Sequence, residues 1–132
     1  MKISNKLLFV VITLSISLIA LSFYYFKNNS KTSVIISDKI IDLGEIKIGL
    51  QKKAVFKMKN IGNNDLQIHE VIPDCYCTVP SWEKDPISPQ DFTNITIIVN
   101  KEYEGIFQQI VTVVCNTQES RHLLVVRGKF IK

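Results

Sequence analysis

No internal repeat and no low-complexity tract runs through this chain, which excludes repeat architectures and linker-type proteins. Beyond residue 33 no long stretch keeps a 3.6-residue apolar period, so the body is not helical. Ser-His-Asp order, a phosphate loop and an HExxH pattern are all missing, which leaves hydrolase and nucleotide chemistry without a motif to carry it. Basic stripes are missing too. The formal charge is +4, but Lys2, Lys6 and Lys27 flank an apolar stretch and supply three of those charges. From residue 28 onward 13 Lys and Arg face 12 Asp and Glu, a balance that argues against nucleic acid as a partner. Cysteine is scarce, with three residues, and none closes the N-terminal apolar run, which excludes a lipoprotein anchor there. Two distant cysteines around a tryptophan, the antibody arrangement, are also absent.

What is present begins with LLFVVITLSISLIALSFYYF, residues 7–26, without a single charge. As a helix rising about 1.5 Å per residue it matches the roughly 30 Å bilayer core. Ala20-Leu21-Ser22 suits a signal peptidase poorly, and the Phe23-Tyr24-Tyr25-Phe26 cluster beside Lys27 reads as an interfacial belt, so an uncleaved anchor is favoured over a signal peptide. The expected organisation is a cytoplasmic N-terminus over 1–6, a transmembrane anchor over 7–26, a polar tether over 27–33 and a β-domain over 34–132. Lys2 and Lys6 before the span and Lys27, Lys31 and Lys39 after it nearly tie by charge. A short N-terminus ahead of such a span usually stays cytoplasmic, which places the body outside, in the periplasm or at the cell surface. Asn28-Asn29-Ser30 and Asn94-Ile95-Thr96 match the glycosylation acceptor pattern, which matters only in a host that modifies it.

In the body, apolar residues recur at spacing two between Gly, Pro, Asn and Asp clusters, the mark of half-buried strands. Strands are expected over 40–43 and 45–48, broken at Gly44, and over 52–60, where Ala54, Phe56 and Met58 alternate with Lys53, Lys57 and Lys59. Others follow over 66–72, 92–100, 107–115 and 122–130. The stretch PDCYCTVPSWEKDPISPQD holds four prolines and reads as a long connection between sheets. About seven short strands in one body of this size make an all-β, antiparallel sandwich, immunoglobulin-like in architecture.

Asn60-Ile61-Gly62, Leu66-Gln67-Ile68, Cys75-Tyr76-Cys77-Thr78, Trp82, Pro86-Ile87-Ser88-Pro89, Gly105-Ile106-Phe107 and Asn116 stand in the order and spacing of a known pattern. Over residues 40–131 the chain resembles the bacterial domain-of-unknown-function family 1573, immunoglobulin-like domains usually exported or membrane-anchored. The resemblance implies the fold and the exported location, and no established activity. It marks Asn60, Gly62, Trp82, Pro89, Gly105 and Phe107 as structural motif positions. Tyr76 and Gln90 stand where the family has glycine, positions where a side chain reaches the backbone geometry only with strain, and Cys115 stands where a small polar residue is usual.

The cysteines admit two readings. Cys on an alternating strand is usually core. Alternatively Cys75, Cys77 and Cys115, with His122, form a soft ligand set for copper or zinc, or a redox site. A four-residue bend would set Cys115 opposite His122. A disulfide between Cys75 and Cys77 would close a very small, strained ring, so a bond from either one to Cys115 is the expected one if the crossing segment lies over the sheet. Trp82 is expected to cap the core, with ligand stacking as its alternative. The leading expectation is a non-enzymatic module without cofactor, held in the membrane through Leu7–Phe26, that binds an unidentified envelope protein through a sheet edge or end loops. The alternative is metal or redox handling by the Cys-x-Cys motif.

Overall fold

The computed structural model describes residues 5–28 and 31–132, so positions 1–4 of the expected N-terminal segment, positions 29 and 30 of the expected tether, and the acceptor tripeptide these two complete, lie outside the described residues. Two separate units are present, an N-terminal helix and the body Lys31–Lys132. The helix, α1 (Asn5–Asn28), contains a segment Asn5–Phe26 with mean hydropathy 2.4. That segment is about 33 Å long at 1.5 Å per residue, long and apolar enough to cross a bilayer.

The body holds eight strands in two four-stranded sheets. They are β1 (Val34–Ile36), β2 (Ile40–Lys47), β3 (Lys52–Asn60), β4 (Ile68–Pro73), β5 (Thr78–Ser81), β6 (Phe92–Val99), β7 (Gly105–Cys115) and β8 (Arg121–Ile131). One sheet runs β1-β3-β6-β5 and the other β2-β8-β7-β4. All pairings are antiparallel except β2 with β8. The inward alternation of β3 buries Ala54, Phe56 and Met58 against Ile95 and Ile97 of β6, and these meet Val111, Val113, Leu124, Val126 and Phe130 of the opposite sheet. The fold class read from the periodicity is therefore the one observed.

Particular elements differ from expectation. The two short strands around Gly44 are one strand, β2, with a bulge between Asp42 and Glu45 that Gly44 permits at φ 66. Asp42 Oδ1 accepts the Gly44 N–H at 2.9 Å and holds that bulge. The proline-rich connection does cross from one sheet to the other, but it carries β5 on the way. Pro80 is tolerated because β5 is an edge strand with a single neighbour, β6. The bend after β7 is longer than four residues, so Val113, not Cys115, pairs with His122.

Candidate functional site

The motif residues act as latches that fix loops to the sandwich. Asn60 is fully buried, and its side chain makes four hydrogen bonds. Its Oδ1 accepts from Thr32 Oγ1 at 2.7 Å and from the Gly62 N–H at 3.1 Å. Its Nδ2 donates to the carbonyls of Asn64 at 2.8 Å and Ile87 at 2.9 Å. Gly62 must be glycine, since a Cβ there would collide with Thr32 Oγ1 and the Ser33 nitrogen. Ser88-Pro89-Gln90-Asp91 is a reverse turn closed by the Asp91 N–H on the Ser88 carbonyl at 3.1 Å. Proline at the second position and φ 70 at Gln90 make it a type II turn, the geometry that favours glycine at the third position. The strain expected at Gln90 is thus present. Tyr76 does not share it, having no positive φ. Phe107 stacks at a tilt on Phe130, with centroids 5.1 Å apart, and Gly105 starts β7 at φ 140. Trp82 packs on the core with Lys84 Nζ 3.0 Å from its ring centroid, so it caps the sandwich and leaves no free stacking face on that side.

The four proposed metal ligands do not come together. Cys75 and Cys77 are joined to each other by a disulfide in the turn after β4, with Cα atoms 5.3 Å apart. That turn lies level with Ile110, because the Asp74 N–H donates to the Ile110 carbonyl at 3.0 Å. Cys115 pairs with Ile68 at the other end of the same strands, five residues along β7, or about 17 Å at 3.4 Å per residue. Among the described residues no group of three or more His, Cys, Asp and Glu could hold a metal ion. The expected quartet is corrected on this ground.

Cys115 and His122 are instead linked through Thr117. The buried Thr117 hydroxyl donates to the Glu119 carbonyl at 2.6 Å, which commits its one proton. It therefore accepts from His122 Nε2 at 2.8 Å and from Cys115 Sγ at 3.5 Å. Burial pushes the Cys115 thiol up from its ordinary value, and burial, helped by Lys39, pushes the His122 imidazole down, with Glu119 opposing. A neutral thiol and a neutral imidazole, each turned to a hydroxyl, make neither a thiolate–imidazolium nucleophile nor a ligand pair.

Two surface features were not read from the sequence. The first is a cleft of about 450 Å³ beside the disulfide, lined among others by Tyr76, Cys77, Val79, Ile98, Lys101 and Tyr103. Tyr76 is fully exposed at its rim. The second is an apolar band on the outer face of the β2-β8-β7-β4 sheet. Register places Ile72, Thr112 and Leu123 in one row and Ile110, Val125 and Ile40 in the next. Ile40 and Leu123 are each 56% exposed. The band crosses all four strands, about 14 Å at the usual strand spacing. Ion pairs edge it: Arg127 to Asp42 at 2.9 Å and Lys129 to Glu45 at 3.5 Å. The Gly44 N–H and then Arg127 hold the Asp42 carboxyl below its usual range. The signal was available, because β7 carries apolar residues at both parities, Ile106, Ile110 and Val114 outward and Phe107, Val111 and Val113 inward. The sheet edges are blunt by comparison, with β1 three residues long, Pro80 in β5 and Pro73 ending β4.

Two sheets packed face to face, with loops latched to them, define an immunoglobulin-like β-sandwich, and the apolar helix is a separate unit. Residues 36–130 match the family described as "Protein of unknown function (DUF1573)", and the chain belongs to it. A protein of unknown function from Porphyromonas gingivalis W83 is similar in structure, with TM-score 0.67 and 18% identity over 76% of this chain and 48% of that one. The chain thus spans about half the length of that relative. The ASH/PapD-like domain 7 of human CEP192 gives TM-score 0.63 and 16% identity over 77% of this chain and 87% of that one. The Vibrio cholerae VesB protease gives TM-score 0.58 and 13% identity over 84% of this chain but only 35% of the protease. At these identities the likeness is one of fold. No curated protein matches the chain.

Proposed function

We propose that this chain is a non-enzymatic, membrane-anchored module of the bacterial envelope that docks another envelope protein on the outer face of its β2-β8-β7-β4 sheet. The observation that carries the reading is the apolar band. Ile40, Ile72, Ile110 and Leu123 lie in adjacent rows of one flat surface, where a monomeric domain gains nothing from exposing them. An apolar patch with charged side chains at its margin, here the Arg127–Asp42 and Lys129–Glu45 pairs, is the anatomy of a protein interface. Covering the four side chains, each already about half buried, contributes on the order of 1 kcal/mol apiece before the costs of association are subtracted. In this reading α1 is an uncleaved anchor with its N-terminal end in the cytoplasm, residues 27–33 are the tether, and the body lies outside the cytoplasmic membrane. Family membership and the PapD-like fold support a binding role, and the VesB likeness covers too little of that protease to argue for hydrolysis.

The test is photo-crosslinking of the full chain in its native membrane. A crosslinking residue at Leu123 should give a discrete protein adduct, lost on Ile110→Asp, whereas one at Lys57 on the outer face of the other sheet should give none. Equal adducts at both positions, or none at Leu123, would overturn the reading. Protease added to intact cells with a permeable outer layer should remove the body, and protection of the body would place it inside.

A further inference from the structure

We infer that the Cys75–Cys77 disulfide is a thiol–disulfide exchange site, opened by a dithiol reductant that enters the adjoining cleft and attacks Cys77. This inference is independent of the docking face, since the cleft and both sulfurs lie outside the apolar band.

The disulfide is not a structural staple. It spans a sequence separation of 2, and crosslinks stabilise by restricting long loops in the unfolded chain, so one this short restricts little. The turn it sits in is held by other bonds. The Asp74 N–H donates to the Ile110 carbonyl at 3.0 Å, the Ile110 N–H donates to Asp74 Oδ2 at 3.1 Å, and the Thr78 N–H donates to the Cys75 carbonyl at 3.2 Å. Opening the disulfide leaves these in place. Both cysteines are half-buried rather than enclosed, and Tyr76 between them points fully into solvent. A disulfide that is accessible and contributes little to the fold is the kind that exchanges.

The two sulfurs are not equivalent. Cys77 lines the cleft together with Lys101 and Glu102, and it is the Lys101 ammonium that favours the approach of an anionic thiolate against the Glu102 carboxylate. Cys75 Sγ accepts the Cys77 N–H at 3.1 Å, a bond that strengthens when the sulfur carries charge. Cys77 is therefore the attacked sulfur and Cys75 the leaving group. In the first step the reductant's thiolate forms a bond to Cys77 Sγ as the Sγ–Sγ bond breaks, and the electron pair leaves on Cys75, held by the Cys77 N–H. In the second, the reductant's other thiol, deprotonated by water, attacks its own sulfur in the mixed disulfide and expels Cys77 as a thiolate. The dithiol is oxidised to its disulfide by two electrons, and the Cys75–Cys77 pair takes up those electrons and the two protons released. Cys115, at the far end of the sheet, takes no part.

The experiment uses the full chain in detergent with Cys115→Ala, so that only the pair remains. Incubation in a glutathione buffer too weakly reducing to open structural disulfides should reduce the pair in about half of the chains or more. Quenching early and mapping the glutathione adduct by fragmentation should place it on Cys77 about tenfold over Cys75, the ratio expected for about 1.4 kcal/mol of preference. Lys101→Gln should slow adduct formation several-fold while leaving the urea midpoint unchanged. A pair that stays oxidised in that buffer, an adduct mainly on Cys75, or a rate indifferent to Lys101→Gln would each overturn the inference.

Discussion

Replacing Asn60 by alanine should cost the body a large part of its stability, because this one side chain satisfies four groups from three separate segments. The Thr32 hydroxyl and the Gly62 N–H lose their acceptor, and the Asn64 carbonyl loses its donor. The Ile87 carbonyl is less affected, since it still accepts the Leu66 N–H at 2.8 Å. Orphaning three groups in and around a fully buried site costs about 1 kcal/mol or more each, so the expected loss is about 3–4 kcal/mol. That is a large fraction of the roughly 5–15 kcal/mol available to a domain. Thr32→Val removes only one of the four bonds and should cost about 1 kcal/mol. Trp82 is the only tryptophan and packs on the core, so its fluorescence during urea denaturation of the full chain reports the body alone. With a urea dependence of about 1.5 kcal/mol per molar, Asn60→Ala should lower the midpoint by about 2 M and Thr32→Val by well under 1 M. Equal small shifts for the two variants would refute the assignment of Asn60 as the hub.

Gly62→Ala should be at least as damaging as Asn60→Ala in the same titration, because its Cβ meets backbone atoms of Thr32 and Ser33 that cannot rotate away; a midpoint near wild type would contradict the packing described. Gln90→Gly should stabilise by about 0.5–1 kcal/mol, strain relief of about 1–2 kcal/mol offset by backbone entropy, and raise the melting temperature by a few degrees, whereas Gln90→Ala should not. For His122, burial lowers the folded pKa below the unfolded value of 6.5. The unfolded chain then binds the proton first, so the stability it contributes is complete above about pH 6.5 and falls as pH drops through the window below it. His122→Gln should flatten the stability profile between about pH 7 and 5, and identical slopes in the two proteins would refute this.

The architecture was legible because alternation in a half-buried strand is unambiguous, and the course of β3 follows from its four buried residues at spacing two, Ala54 to Asn60, with exposed residues between them. The loop latches were legible as motif positions but not as hydrogen bonds, since Asn60 binds residues up to 28 positions away. What was not legible depended on register. A two-residue shift of register at the bend after β7 moves His122 from Cys115 to Val113, and with it dissolves the proposed ligand set. The strand β5 was hidden by Pro80, which counts against a central strand and is harmless at an edge. The apolar face was hidden because a strand apolar at both parities reads simply as hydrophobic until its neighbours are known.

The parallel pairing of β2 with β8 sets the order in which this body can be completed. β2 hydrogen-bonds only to β8, with Ile40 opposite Val125, so a chain emerging N-terminus first leaves β2 without a partner until some 85 residues later have followed. The β1-β3-β6-β5 sheet has all its strands by residue 81 to 99, but the facing sheet waits for its central strand. Such long-range closure is slow, on the order of milliseconds to seconds. Assembly therefore runs after emergence rather than during it, and for that interval Ile41, Leu43 and Ile46 lack the sheet that covers them.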